Sequence, residues 1–305
     1  MISFVAASTT TPLPTWLLLG MVLACMVGGL PHGAMDSWIG AWWLRPRLGR
    51  WWWLPFSIGY VAIAALVVVL WRAFPVPSLV TFLGLSFLHF SLNQAESTPS
   101  FHGTPLRGWK DGFAIWRGTC VIVGPILLHP AATADIFGAL TGQSAWSVWL
   151  SAARPFLLGM AGVSGLLLLR SAFALRAGVP ALAGASASAA VLTLSAVLLH
   201  PLLSFTLYFC LWHSPAHRRE TEAEARLRLT PNTLRRTEYT LKAVTALAMI
   251  FLLAGYLLLP ATLSADSRLL MTLFIGLAAL TAPHMLLQAL WENARRSTPP
   301  AIRTS

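Results

Sequence analysis

The stretch ALAGASASAAVLTLSAVLLHPLLSFTLYFCLW, residues 181–212, runs for 32 positions without a charged side chain. As one helix it would extend about 48 Å at about 1.5 Å per residue, well beyond a hydrocarbon core of about 30 Å. His200-Pro201 interrupts it, where proline lacks the amide donor and pushes the residue before it away from helical geometry. We therefore divide the run there into two short spans. A membrane re-entrant pair would have the same parity.

Outward from this run the rest of the chain also reads as membrane. Of 305 residues, 56% are hydrophobic and 10% charged, against about 25% charged in soluble domains. Apolar windows predict spans at roughly Pro14 to Pro31, Trp52 to Trp71, Ser78 to Asn93, Gly112 to His129, Trp149 to Arg170, Thr240 to Leu259 and Arg268 to Trp291. With the divided run, the expectation is an all-α polytopic membrane protein of about eight or nine transmembrane helices, one span broken near His200-Pro201. Residues 1–305 form a single transmembrane domain, with a basic cytoplasmic loop at about 218–240 and a short tail at about 292–305.

Loop charges test the division independently. Arg45, Arg47 and Arg50, then Arg107 and Lys110, Arg170 and Arg176, Arg218 to Lys242, and Arg295 and Arg296 all fall on the cytoplasmic side only with the split. The amino terminus is then outside and the carboxyl terminus cytoplasmic. These loops account for the net charge of +11. No Gly-rich phosphate loop or basic-aromatic stripe accompanies it, so no nucleic-acid partner is expected. Cys25, Cys120 and Cys210 are odd in number, lie in apolar runs and form no CxxC pair, so they read as small core residues. No Lys or Arg precedes the first span, which is expected to be retained rather than cleaved.

The same topology brings histidines to one depth. His32, His89, His213 and His217 fall towards the cytoplasmic ends of their spans, and His284 lies within a turn or two of that layer. His129 and His200 fall on the opposite side. His213-Ser-Pro-Ala-His217 puts two imidazoles at i and i+4 on one helix face, a spacing at which both can hold one metal. Asp36, four residues after His32, could orient that ring as a hydrogen-bond acceptor, or could simply end a helix in the interface. Imidazoles without thiolates suit iron, zinc or copper. Asp111 with Arg117, the Glu220, Glu222 and Glu224 run, and His102 are given no catalytic role, although Glu220 follows His217 closely enough to support it.

Four motifs carry a resemblance: GLPHGAMD at 29–36, SFLHF at 86–90, FCLWHSPAH at 209–217 and TAPHM at 281–285. Together they resemble, in order, those of the Brp/Blh family of membrane-bound beta-carotene 15,15'-dioxygenases. The resemblance implies Fe(2+)-dependent cleavage of the central double bond of beta-carotene by O2. The product it implies is two retinal molecules, made in a bacterial inner membrane for a rhodopsin-type acceptor. It implies His32, His89, His213 and His217 as catalytic iron ligands, with His284 an additional ligand or polar neighbour, and Asp36, Asn93 and Glu220 supporting them. Two departures touch the surroundings of the ligands: Ala216 stands where many relatives have arginine, and Asn93, Gln94 and Glu96 follow His89 where an aspartate is usual.

A rigid polyene needs an apolar tunnel with lateral access from membrane lipid, for which Phe87, Phe90, Phe205, Tyr208, Phe209 and Trp212 are the expected lining. Trp42, Trp43 and Trp51 to Trp53 flank basic residues and read as an interfacial belt. The alternatives are a di-iron membrane desaturase or hydroxylase acting on lipid or carotenoid, or a haem-binding electron carrier or transporter with histidines as axial or relay groups.

Overall fold

A computed structural model of the chain describes residues 13–92, 111–175, 179–228 and 231–297. Every regular element among them is helical, as backbone without water to bond must be. Helix α1 (Thr15–Ala24) passes through a π-helical turn, Cys25–Gly29, into α2 (Leu30–Ala34). The chain breaks at Met35, and α3 (Asp36–Leu48) ends on Gly49, whose φ of 55° is left-handed and suits glycine. Next come α4 (Trp53–Ala73) and α5 (Pro75–Leu92). Helix α6 (Gly112–Gly118) continues through a second π turn, Thr119–Val123, into α7 (Gly124–Leu128), and a 101° bend leads into α8 (Pro130–Thr141). The remainder comprises α9 (Trp146–Leu175), α10 (Val179–Leu198), α11 (Pro201–Tyr208), a third π turn at Phe209–His213, α12 (Ser214–Arg228), α13 (Pro231–Leu258) and α14 (Ala265–Ser297).

Among the described residues, four helices are long and apolar enough to cross a membrane: Trp53–Ala73, Pro75–Leu92, Trp146–Phe173 and Ala265–Trp291. The bent pair from Gly112 to Thr141 makes a fifth. That is fewer than the eight or nine expected from apolar windows. Where the chain breaks within an apolar window, as at Gly29 and His200, each helical piece is shorter than the window, and α13 is apolar only over its second half. Thr15–Gly29, Ala183–Leu198 and Lys242–Leu258 are apolar but shorter. The basic stretch read as a loop, 218–240, is helical at 218–228 and 231–240. Ile58, Val61, Leu66 and Val69 of α4 project outwards, a lipid-type surface rather than a soluble one.

The run 181–212 is broken at its His-Pro dipeptide. His200 is the N-cap of α11, its Nδ1 accepting from Leu202 N at 3.3 Å. The other His-Pro pair acts on the same junction. His129, which precedes α8, places Nε2 2.9 Å from Ala196 O, so Nε2 carries the proton and donates to one of the last carbonyls of α10, which lack helical partners.

Helix α6 packs between α5 and α9, and glycine permits the approach. A Cβ at Gly112 would fall on the backbone carbonyl of Leu167, and one at Gly118 on Ser91 Oγ. Gly112 N also donates to Ser171 Oγ at 2.8 Å, and Asp111 Oδ1 caps the helix by accepting from Ala114 N at 3.1 Å. A backbone carbonyl cannot rotate away, so Gly112→Ala is expected to destabilise the protein by about 1–3 kcal/mol. Thermal unfolding in detergent checks this, with Gly59→Ala, which meets nothing within 4 Å, expected to leave the midpoint in place.

Candidate metal centre and polyene cavity

Four of the five histidines assigned to one layer come together in space. His89 lies near the end of α5, His213 closes the third π turn, His217 stands one turn on in α12, and His284 follows Pro283 within α14. Ring centroids are 4.9 Å apart for His89 and His213, 5.4 Å for His89 and His284, 5.1 Å for His217 and His284, and 6.3 Å for His213 and His217. His213 is fully buried, at 0% exposure. His32 belongs to α2, but its ring lies outside the described residues, as do Asn93, Gln94, Glu96 and His102.

The π turns set this geometry. Each inserts one residue into a helical turn, rotating the downstream side chains by about 100°. The first, Cys25–Gly29, lies against the third: Ser214 Oγ donates to Gly28 O at 2.6 Å, 3.3 Å from Gly29 O. A Cβ on Gly29 would collide with the Phe209 ring. Phe209 in turn stacks on His213, with centroids 5.8 Å apart and planes at 17°. Thr221 Oγ1 donates to His217 O at 3.0 Å and lies 3.4 Å from His217 Nδ1. Arg117, which the sequence left without a role, is buried and its Nε donates to Phe90 O at 3.1 Å, anchoring the end of α5 beside His89.

Asp36 meets partners that its spacing along the chain does not point to. Its carboxylate, 2% exposed, accepts from His284 Nδ1 at 2.8 and 3.0 Å and from the Tyr60 hydroxyl at 3.1 Å. Tyr60 Oη also lies 3.3 Å from Leu280 O. The His32 ring, four residues before Asp36, lies outside the described residues. A carboxylate on Nδ1 fixes the tautomer and turns Nε2 towards the other imidazoles, the usual support of a metal-binding histidine. Glu220 is half-buried on α12.

The fit to a metal rests on the closest pair. His89 Nε2 and His213 Nε2 are 3.2 Å apart, the separation of adjacent nitrogens that each lie about 2.1 Å from a shared ion. Among the described residues no three His, Cys, Asp or Glu side chains meet the spacing for one ion. The described part of the cluster therefore fits two adjacent ligand positions, in an all-nitrogen neighbourhood suited to iron, zinc or copper.

His89, His213 and His284 border an apolar cavity of about 200 Å³ lined from α2, α3, α4, α5, α11, α13 and α14. Phe90, Phe205 and Phe209 line it, whereas Phe87, Tyr208 and Trp212 do not. Helical phase explains the difference. Phe82, Ser86, His89 and Phe90 follow i, i+4, i+7, i+8, and Phe205, Phe209 and His213 follow i, i+4, i+8, so Phe87, Tyr208 and Trp212 are each one residue off the face. Tyr208 instead packs behind Phe90, at 5.2 Å. Phe56, Tyr60, Phe82 and Phe251 complete the aromatic wall. Three of these come from α4 and α13, and the sequence offered only the apolar phase of single helices, not which helices would meet.

Comparison with known proteins gives a consistent result. The family described as "Beta-carotene 15,15'-dioxygenase" matches residues 23–292. A protein of that name from uncultured marine bacterium 66A03 is 27% identical over 276 residues, covering 89% of this chain and 92% of its own length. No solved structure matches.

Proposed function

Because the chain belongs to the beta-carotene 15,15'-dioxygenase family, we propose that it cleaves the central 15,15' double bond of beta-carotene with O2 to give two molecules of retinal. The observation that supports this most is the buried imidazole cluster opening on a cavity walled by Phe90, Phe205 and Phe209. Fe(2+), held by His32, His89, His213 and His217, would supply the one-electron chemistry that lets O2 react with a closed-shell alkene. The chain does the rest: His284 completes or supports the cluster through Asp36, the phenylalanine faces hold the polyene, and burial excludes water that would compete at the metal. Neutral ligands leave the metal's charge uncompensated in an apolar setting, and the Asp36 carboxylate supplies one compensating charge nearby.

In this reading the three shorter apolar helices, and α11 with the π turn that follows it, also cross the bilayer, bringing the total to nine. The single domain then lies in a bacterial inner membrane with its amino terminus outside and carboxyl terminus cytoplasmic. Its substrate arrives from the lipid, and its retinal passes to a rhodopsin-type acceptor. The test is expression in a bacterium that accumulates beta-carotene, with chromatography of extracted pigments and iron analysis of the purified protein. Loss of carotene with appearance of retinal and one iron per chain is expected. Retained carotene with no apocarotenal would sink the assignment, and two irons per chain would favour a desaturase-type enzyme.

A further inference from the structure

A second apolar cavity, of about 60 Å³, adjoins the first. The two share three wall residues, Phe82 and Ser86 of α5 and Phe205 of α11. Beyond that partition the wall is made by Leu79 and Leu83 of α5, Pro201 and Leu202 of α11, and Ile126 and Ile136 on either side of the 101° bend. Thr133 also borders it, but its hydroxyl donates to Pro125 O at 2.9 Å. Apart from Ser86, the cavity offers a ligand little but hydrocarbon surface.

Its placement matches a length. Along α5 the wall runs from His89 at the cluster back to Leu79, ten residues and so about 15 Å of helix. A polyene about as long as the hydrocarbon core is thick, about 30 Å, that is cut at its middle must extend about 15 Å to each side of the reacting bond. The first cavity, about 200 Å³, is smaller than the roughly 300–1,000 Å³ of sites that enclose a drug-sized ligand. It does not enclose such a molecule whole, and the end of one arm needs a place of its own.

We propose that the second cavity is that place: a subsite for the hydrocarbon end of the polyene beyond the bond to be cleaved, reached when the Phe82 and Phe205 rings turn aside, with Leu83 setting its depth. The proposal rests on the reading of the chain as a central cleaver of a long polyene. It makes the position of the cut a consequence of arm length, because the end of the molecule stops against Leu79 and Pro201 while the middle lies at the histidines.

The test uses Leu83, which lines the second cavity and not the first. Wild type, Leu83→Trp and Leu83→Ala are purified in lipid nanodiscs. Each is offered beta-carotene and an apocarotenal that keeps one ring and lacks the other, first without oxygen, where pigment retained by the protein reports binding, and then with oxygen. Leu83→Trp is expected to raise the binding and cleavage preference for the truncated polyene by about tenfold or more, the scale of a misfit of a few methylenes in an apolar pocket. Leu83→Ala is expected to shift it the other way. Unchanged preference in both variants, whatever the absolute rates, overturns the subsite. A wild-type protein that retains neither pigment refutes the functional reading, and the subsite with it; one that retains both with preferences unmoved refutes the subsite alone.

Discussion

If His213 holds iron as proposed, replacing it by alanine is expected to lower retinal formation by more than about 100-fold and to strip that iron. The ring is fully buried, its Nε2 is 3.2 Å from that of His89, and Phe209 stacks on its face. At the proposed centre a ring held so tightly would contribute both a ligand and its orientation, so the expected loss exceeds the roughly 10–100-fold that loss of a ligand's supporting partner costs. The measurement is iron per chain together with pigment turnover at matched membrane levels. An alanine variant that keeps its iron and cleaves carotene normally would exclude His213 from the centre. Loss of turnover with iron retained would confine it to substrate placement.

The second large effect is expected at Asp36, where the chemistry is indirect. Asp36→Asn preserves the shape but removes the charge that faces His284 Nδ1 at 2.8 Å and the Tyr60 hydroxyl at 3.1 Å. A drop of about 10–100-fold in metal affinity or turnover is expected. Titrating metal-free protein with Co(2+) and following its absorption separates weaker binding from slower chemistry. Tyr60→Phe removes one hydrogen bond to a carboxylate, about 1.5–3 kcal/mol or about tenfold or more, and should act in the same direction. If Asp36→Asn binds Co(2+) as wild type does and turns over at the same rate, the carboxylate only ties α3 to α14.

These effects fall on residues that were unequally visible in the sequence. His213 and His217 are marked by their spacing alone. Tyr60 carries no local mark, because one tyrosine in an apolar helix reads as an interfacial or packing residue, and its partner Asp36 is 24 positions away. Asp36 and His284 are 248 positions apart, and no periodicity reaches that far. Arg117 was visible as a charge near an apolar run, but its bond to the Phe90 carbonyl depends on how α6 meets α5. The 101° bend at His129 and the π turns were hidden too, since hydropathy is blind to one extra residue in a turn.

What the sequence determined by itself is the solvent and the local chemistry. Long uncharged runs leave the backbone only helix to satisfy its hydrogen bonds. The longest run is broken at the proline after His200, as its missing amide predicts, and the i, i+4 spacing puts His213 and His217 one turn apart. What only the tertiary structure decided is which side chains share a space. Gly29 admits the Phe209 ring, the π turn re-aims the residues after it, and the crossing of α3, α4 and α14 brings Asp36, Tyr60 and His284 together. Those are relations between distant helices, fixed by packing and by the need to pair buried charge, and a pattern read along one helix at a time contains neither.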